Sequence, residues 1–188
     1  MERSFEAVLV EQCATTLAGV KPASLFRYQG ADQRQSREAA ARWAKELAPY
    51  GITVRILKVC PQTGACLIYL YRAGWLRSIL SEPSNRAFLA RQGYQTDQDC
   101  PGLLRQLSRR LCLEREFPHE IGVFLGYPLE DVVGFIENRG RNYTCCGCWK
   151  AYGDPEAARR RFDQYRRCTA ACKERFRRGA PITQLIAA

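Results

Sequence analysis

The chain has 188 residues, with 29 Lys and Arg against 19 Asp and Glu, a formal net charge of +10 and one histidine. Hydrophobic residues make up 46% and charged residues 26%, which argues against a disordered tail and fits a globular domain. No run reaches the ~18 apolar residues of a membrane span, so no membrane association is expected. One domain covering residues 1–188 can bury a core at this length without covalent staples. The start, Met1-Glu2-Arg3-Ser4-Phe5, has neither a basic nor a long apolar region of the secretory kind, so a cytoplasmic location is expected. The ten cysteines are then expected as thiols serving as core residues, metal ligands or redox groups, with disulfides the poorest reading.

In chain order, Glu6 to Gly19 reads as a helix closed by Lys21-Pro22, because the residue before proline leaves the α region. Ala23 to Tyr28 is a short aromatic strand. Asp32 with Gln35 has capping-box spacing and opens a helix to about Leu47, whose Ala40, Trp43, Ala44 and Leu47 share a face. Ile52–Val59 and Cys66–Tyr71 are β-branched and aromatic, and Pro61-Gln62-Thr63-Gly64 between them supplies a hairpin turn. Both carry large apolar groups on both faces, as a pair in the middle of a sheet would. Trp75 to Gln92, interrupted near Pro83, and Cys100 to Leu113 are further helices. A short helix from Pro118, a turn at Gly126-Tyr127-Pro128 and a helix ending near Gly140 follow. Asn142 to Tyr152 reads as a strand or ribbon with a glycine bend. Asp154-Pro155-Glu156 then opens a long helix that Gly179-Ala180-Pro181 ends. The fold class expected is α+β, a small and mostly antiparallel sheet of about four strands surrounded by about six helices.

The charge is uneven. Between Arg139 and Arg178 twelve basic residues face four acidic ones, so this segment carries +8 of the total. Such a stretch is either a solvated helix face or a surface for an acidic protein, another anionic partner or nucleic acid. Sequence-specific DNA recognition is a poor fit. If Pro118 to Asn138 were a helix-turn-helix, its reading helix would turn Glu130, Asp131 and Glu137 outward against phosphates.

Two constellations carry candidate chemistry. Cys145 and Cys148 lie on the glycine bend, and Cys168 and Cys172 lie one turn apart on a helix face. Four thiolates suit zinc or iron, whereas the stripe that Cys168 and Cys172 share with Phe162, Tyr165 and Phe176 equally suits buried core cysteines. The second constellation is polar. His119 and Glu120 begin a short helix, and a neutral imidazole beside a carboxylate can act as a general base or a ligand. With Lys21 and Cys13 they form a candidate catalytic cleft; the alternative is that they only cap a helix. No second histidine exists, so the His-Glu-x-x-His zinc motif is excluded.

The run His119-Glu120-Ile121-Gly122-x-Phe124-Leu125-Gly126-Tyr127-Pro128, with Asp131-Val132 and Gly134-Phe135-Ile136, resembles the signature of a bacterial family of unknown function. Cys13-x-x-x-Leu17-x-Gly19-x-Lys21 and Cys148-Trp149-Lys150-x-Tyr152 resemble further parts of it, and the likeness runs nearly end to end. The resemblance assigns no activity. It marks Tyr127, Trp149 and Lys150 as candidate cofactor-binding residues, and it implies company with flavodoxin-like and iron-transport proteins. Two functions are therefore expected to compete. One is a metal- or redox-cofactor-linked binding protein, iron-related and docking on a flavodoxin-like partner. The other is a non-catalytic regulatory or binding module that uses its basic final helix.

Overall fold

A computed structural model describes residues 3–187. Its contacts divide the chain into two units, one formed by Met1–Trp75 with Cys168–Ala188 and the other by Leu76–Arg167. The divisions fall inside two helices, α3 (Ala73–Ser81) and α8 (Pro155–Arg177).

The first unit is built on a three-stranded antiparallel sheet. Strands β1 (Ala23–Tyr28), β2 (Ile52–Val59) and β3 (Cys66–Arg72) are ordered β1-β3-β2. The hairpin expected at residues 52–71 forms, but it is β3 alone that takes the middle position. Ala23 pairs with Tyr71 and Tyr28 with Cys66, while Ile52 pairs with Arg72 on the other side. A bulge between Ile56 and Lys58 inserts one residue into β2. Without it, alternation would turn Val59 away from the face of Ile56; with it, both pack against the same core.

Helices α1 (Phe5–Leu17) and α2 (Gln33–Leu47) pack on this sheet. The Ser4 hydroxyl accepts from the Ala7 amide at 3.2 Å, and Asp32 accepts from Gln35 at 2.7 Å. Each cap satisfies an amide that has no partner inside its helix. Leu9, Cys13, Leu17, Leu47, Ile52, Cys66, Ile68 and Leu70 make the centre of the core, and Cys172, Ile182 and Leu185 complete it from the C-terminal end. On the opposite face of β3 the rings of Tyr69 and Tyr71 stack at 5.0 Å, both buried.

The C-terminal end of α1 has no basic residue in its last turn. Arg72, at the end of the central strand, supplies the missing charge. Its guanidinium donates to the Thr16 carbonyl at 2.9 Å, to Leu17 at 2.7 Å and to Ala187 at 3.1 Å. A cation at the negative end of the helix dipole that also donates to the terminal carbonyls is favourable twice over.

The second unit is mostly helical: α4 (Pro83–Arg91), α5 (Cys100–Leu113), α6 (Ile121–Phe124) and α7 (Leu129–Glu137), with parts of α3 and α8. The segment read as a strand or ribbon with a glycine bend is a ribbon, and it turns back on itself instead of adding a fourth strand to the sheet. Its strands β4 (Cys145–Cys146) and β5 (Lys150–Ala151) pair antiparallel. The paired residues there are Cys145, Cys146, Lys150 and Ala151, none of them β-branched or aromatic, and the ladder is two pairs long. The fold is thus α+β with a three-stranded sheet and a two-stranded ribbon in place of one four-stranded sheet. Among the described residues eight α-helices form where about six were expected, with the run from Trp75 to Gln92 divided at Pro83 between α3 and α4. No helix among the described residues is long and apolar enough to cross a membrane.

Replacing Arg72 with Met keeps the apolar stem and removes every donor. The three carbonyls then lose charge-assisted bonds worth ~1.5–3 kcal/mol each before solvent compensates. Urea unfolding followed by circular dichroism should show a loss of about 2 kcal/mol, and an unchanged midpoint would show that water replaces the guanidinium without penalty.

Candidate functional site

The site lies within the second unit and is assembled by α6, α7 and the ribbon. The short α6 turns tightly. The amides of Ile121, Gly122 and Val123 bind the carbonyls of Pro118, His119 and Glu120 at 3.0–3.2 Å. They are therefore engaged, and they form no cradle for an anion. Gly122 sits where α6 meets α7. A Cβ there would lie 2.7 Å from Val132 Cγ2, so only glycine permits the approach without displacing Val132.

The ribbon is fastened to α7 by Asp131, which is 4% exposed. One carboxylate oxygen accepts the Trp149 indole N–H at 2.7 Å. The other accepts the backbone amides of Tyr152 at 2.6 Å and Gly153 at 3.1 Å. These are charge-assisted bonds to a buried acceptor, the strong kind. Sequence reasoning turned Asp131 outward, and the structure turns it inward. Two glycines let the ribbon lie close to its neighbours: Gly134 on α7 is covered by the Tyr152 ring, and Gly147 in the ribbon loop is covered by Phe162 of α8.

Trp149 is held on several sides. It stacks on Tyr127 at 4.9 Å and 21°, meets Phe162 edge-on at 4.5 Å and lies 6.1 Å from Tyr165. Burial, then Cys148 and Tyr165, push the Tyr127 phenol up to about 12, so it stays neutral at physiological pH. Lys150 donates to the Gly140 carbonyl at 2.7 Å, with its ammonium 5.1 Å from the Tyr143 ring centre and 5.9 Å from that of Phe135. The His119 imidazole packs on the other partner of that cluster, 4.8 Å from Phe135 and 6.0 Å from Phe117.

Between these groups is a cavity of about 410 Å³. His119, Tyr127, Trp149, Lys150 and Cys148 all line it, together with Phe117, Asp131, Phe135 and Cys146. The walls are mainly apolar and aromatic with a few polar groups, which is the usual make-up of a small-molecule site.

The other candidate residues lie elsewhere. Glu120 is the chain neighbour of His119 but is buried on the far side of the turn. Its carboxylate accepts from Tyr94 Oη at 3.0 Å and from Arg110 at 3.3 Å, and the Arg110 guanidinium lies 4.4 Å from the centre of the Tyr94 ring. Burial, then the Glu120 charge, push the Tyr94 phenol up. Glu120 therefore has a structural task. Cys13 belongs to the core of the first unit and is fully buried there. Burial raises its thiol pKa, against the opposing charge of nearby Lys21.

The four candidate metal ligands divide between the units. Cys145 packs against the small cluster of Ala151, Ala158 and Phe162, and Cys148 is exposed on the cavity wall. In the first unit Cys172 is a core residue, and Cys168 packs beside it with its thiol pushed up to about 11 by burial and then by Cys172. Among the described residues no group of three or more His, Cys, Asp or Glu side chains could hold a metal ion. The cysteine environments are those of apolar packing and a cavity wall.

Sequence reasoning quoted Asp131 and Phe135 within the signature but gave neither a place in a site, as with Phe117 and Cys146. Asp131 had one signal: Gly134 and Phe135, three and four residues on, share its helix face and meet the ribbon and the cavity. Exchanging Asp131 for Asn would set an amide N–H against the Trp149 indole N–H or against the two backbone amides. The second unit should lose about 2–3 kcal/mol, and the amides of Tyr152 and Gly153 should exchange hydrogen faster. Unchanged protection of those two amides would show that the carboxylate does not fasten the ribbon.

No curated protein and no solved structure matches the chain. A family model matches residues 9–186. The chain therefore belongs to the family described as "Protein of unknown function (DUF3793)".

Proposed function

We propose that the protein is a cofactor-linked binding protein whose second unit takes a small organic anion into the aromatic cavity. One observation carries this reading. Lys150 and the imidazole of His119 both flank Phe135 on the wall of a concave, largely apolar site of about 410 Å³. Aromatic walls receive the apolar or flat body of a ligand, and a convergent cation fixes its charged end. The redox side of the reading rests on the two thiols of the same wall, Cys146 and Cys148. Among the described residues no group of three or more His, Cys, Asp or Glu side chains could hold a metal ion, and the reading does not draw on zinc or iron.

The test uses 1-anilinonaphthalene-8-sulfonate, an aromatic anion whose fluorescence rises on binding. One molecule should bind per chain, and Lys150→Gln should weaken it at least fivefold, about 1 kcal/mol. Binding of several molecules, or binding insensitive to Lys150→Gln, would remove the cavity as the site.

A second reading, favoured by α8, is a binding module for an acidic protein, such as a flavodoxin-like one, or for nucleic acid without sequence preference. Arg160 faces Asp154 and Glu156, Arg166 faces Asp163, and Arg177 and Arg178 share Glu174. No ion pair among the described residues engages Arg159, Arg161 or Arg167, and all three are exposed. If they bind a polyanion, the logarithm of the affinity for heparin should fall linearly with the logarithm of salt, and replacing all three with Gln should flatten the slope by about two to three. An unchanged slope would dismiss the helix as a binding face.

A further inference from the structure

We propose that Cys146 and Cys148 are a reactive dithiol that exchanges, inside the cavity, with small anionic disulfides. This rests on the binding reading above, since the cavity must first admit the anion, and it names the ligand class and the chemistry.

All ten cysteines are outside disulfides, but only two of them, Cys146 and Cys148, line this cavity. The ribbon explains why. Successive side chains on a strand point to opposite faces. Cys145, opposite Ala151, goes into the apolar cluster with Phe162, so Cys146 goes to the other face, directly across from Lys150. Cross-strand neighbours of this kind have Cβ atoms ~4.5–5.5 Å apart. Cys148 follows after a single glycine and is exposed on the same wall. The loop between them is seated on the wall: Phe162 covers Gly147, and the Gly147 amide donates to the Trp149 carbonyl at 3.0 Å. Two exposed thiols thus line one cavity, with Lys150 across the ribbon from Cys146 and aromatic rings on the same walls.

The reaction balances without a further redox partner. The Cys146 thiolate attacks one sulfur of an external disulfide R–S–S–R. The S–S bond breaks, one R–S⁻ leaves and takes up the proton that Cys146 gave up, and a Cys146–S–S–R mixed disulfide remains. The Cys148 thiolate then attacks the Cys146 sulfur and expels the second R–S⁻, which is protonated in turn. The net change is two protein thiols oxidised to one Cys146–Cys148 disulfide and one external disulfide reduced to two thiols. A single glycine between the cysteines gives the backbone freedom to bring the Cα atoms into the ~4.4–6.8 Å window of a disulfide. Lys150 attracts a carboxylate-bearing disulfide and stabilises the departing thiolate. A cationic disulfide gains neither effect.

The test treats the reduced full chain with glutathione disulfide, an anion, or cystamine, a cation, and follows each cysteine by peptide mass mapping. Cys112, exposed on α5 and outside the cavity, is the internal reference. Glutathione disulfide should oxidise the 146/148 pair at least tenfold faster than it modifies Cys112, with cystamine showing a smaller ratio. Cys148→Ser should trap the mixed disulfide on Cys146, and Lys150→Gln should erase the preference for the anion. Modification of Cys112 at an equal or greater rate overturns the proposal, and that comparison needs no variant to fold. S-methylglutathione, a single glutathione unit whose sulfur is a thioether and cannot exchange, separates the two readings by calorimetry. If it binds in a Lys150-dependent way while exchange shows no preference for the pair, the dithiol falls and the binding site stands. If it does not bind and exchange shows no preference, both fall.

Discussion

The buried carboxylate of Asp131 is the constraint on which the second unit's cavity depends. A ribbon of two residue pairs has too few ladder bonds to hold itself, and strands so short are marginal in water. Asp131 takes over that task by accepting one side-chain and two backbone donors from the ribbon at 2.6–3.1 Å. It stands in the first turn of α7, where the helix dipole favours a negative charge. The helix therefore stabilises the charge, the charge holds the ribbon, and the ribbon brings Trp149, Lys150, Cys146 and Cys148 to the cavity.

Close packing acts alongside that anchor. Gly122, Gly134 and Gly147 each sit where another residue's side chain fills the space a Cβ would need. A hydrogen bond fixes direction, and van der Waals contact fixes distance. Trp149 shows the two together, with its indole nitrogen tied to Asp131 and its ring enclosed by Tyr127 and Phe162. Such a side chain has little rotamer freedom left to lose when a ligand arrives, which is the meaning of a preorganised wall.

Much of the frame was legible in the sequence because it depends on local chemistry. The Asp32 cap, the Cys100–Leu113 helix, the 52–71 hairpin and the long helix after Asp154 rest on caps, prolines and apolar periods within a few residues of one another. The glycine-bent ribbon was legible, but its fastening was not, since Asp131 lies 18 to 22 residues before the donors on Trp149, Tyr152 and Gly153. His119 and Glu120 show the same limit on a smaller scale. Adjacent residues in a turn of helix diverge by about 100°, so one reaches the cavity and the other enters a buried network with Tyr94 and Arg110. The thiols were grouped by spacing, whereas strand alternation separates Cys145 from Cys146 and burial sets Cys172 apart.

The discontinuity of the first unit bears on how the chain folds as it leaves the ribosome. The second unit is one uninterrupted stretch, Leu76–Arg167, and all of its residues are available before the last helix is finished. The first unit begins earlier but lacks Cys172, Ile182 and Leu185 from its core until the final segment emerges. Vectorial synthesis ordinarily favours the N-terminal part as first to fold, and here that order is inverted. The sheet of residues 23–72 waits with its apolar face incompletely covered through the whole synthesis of the intervening unit. During that interval its exposed strands are the surface that a nascent-chain chaperone would have to shield.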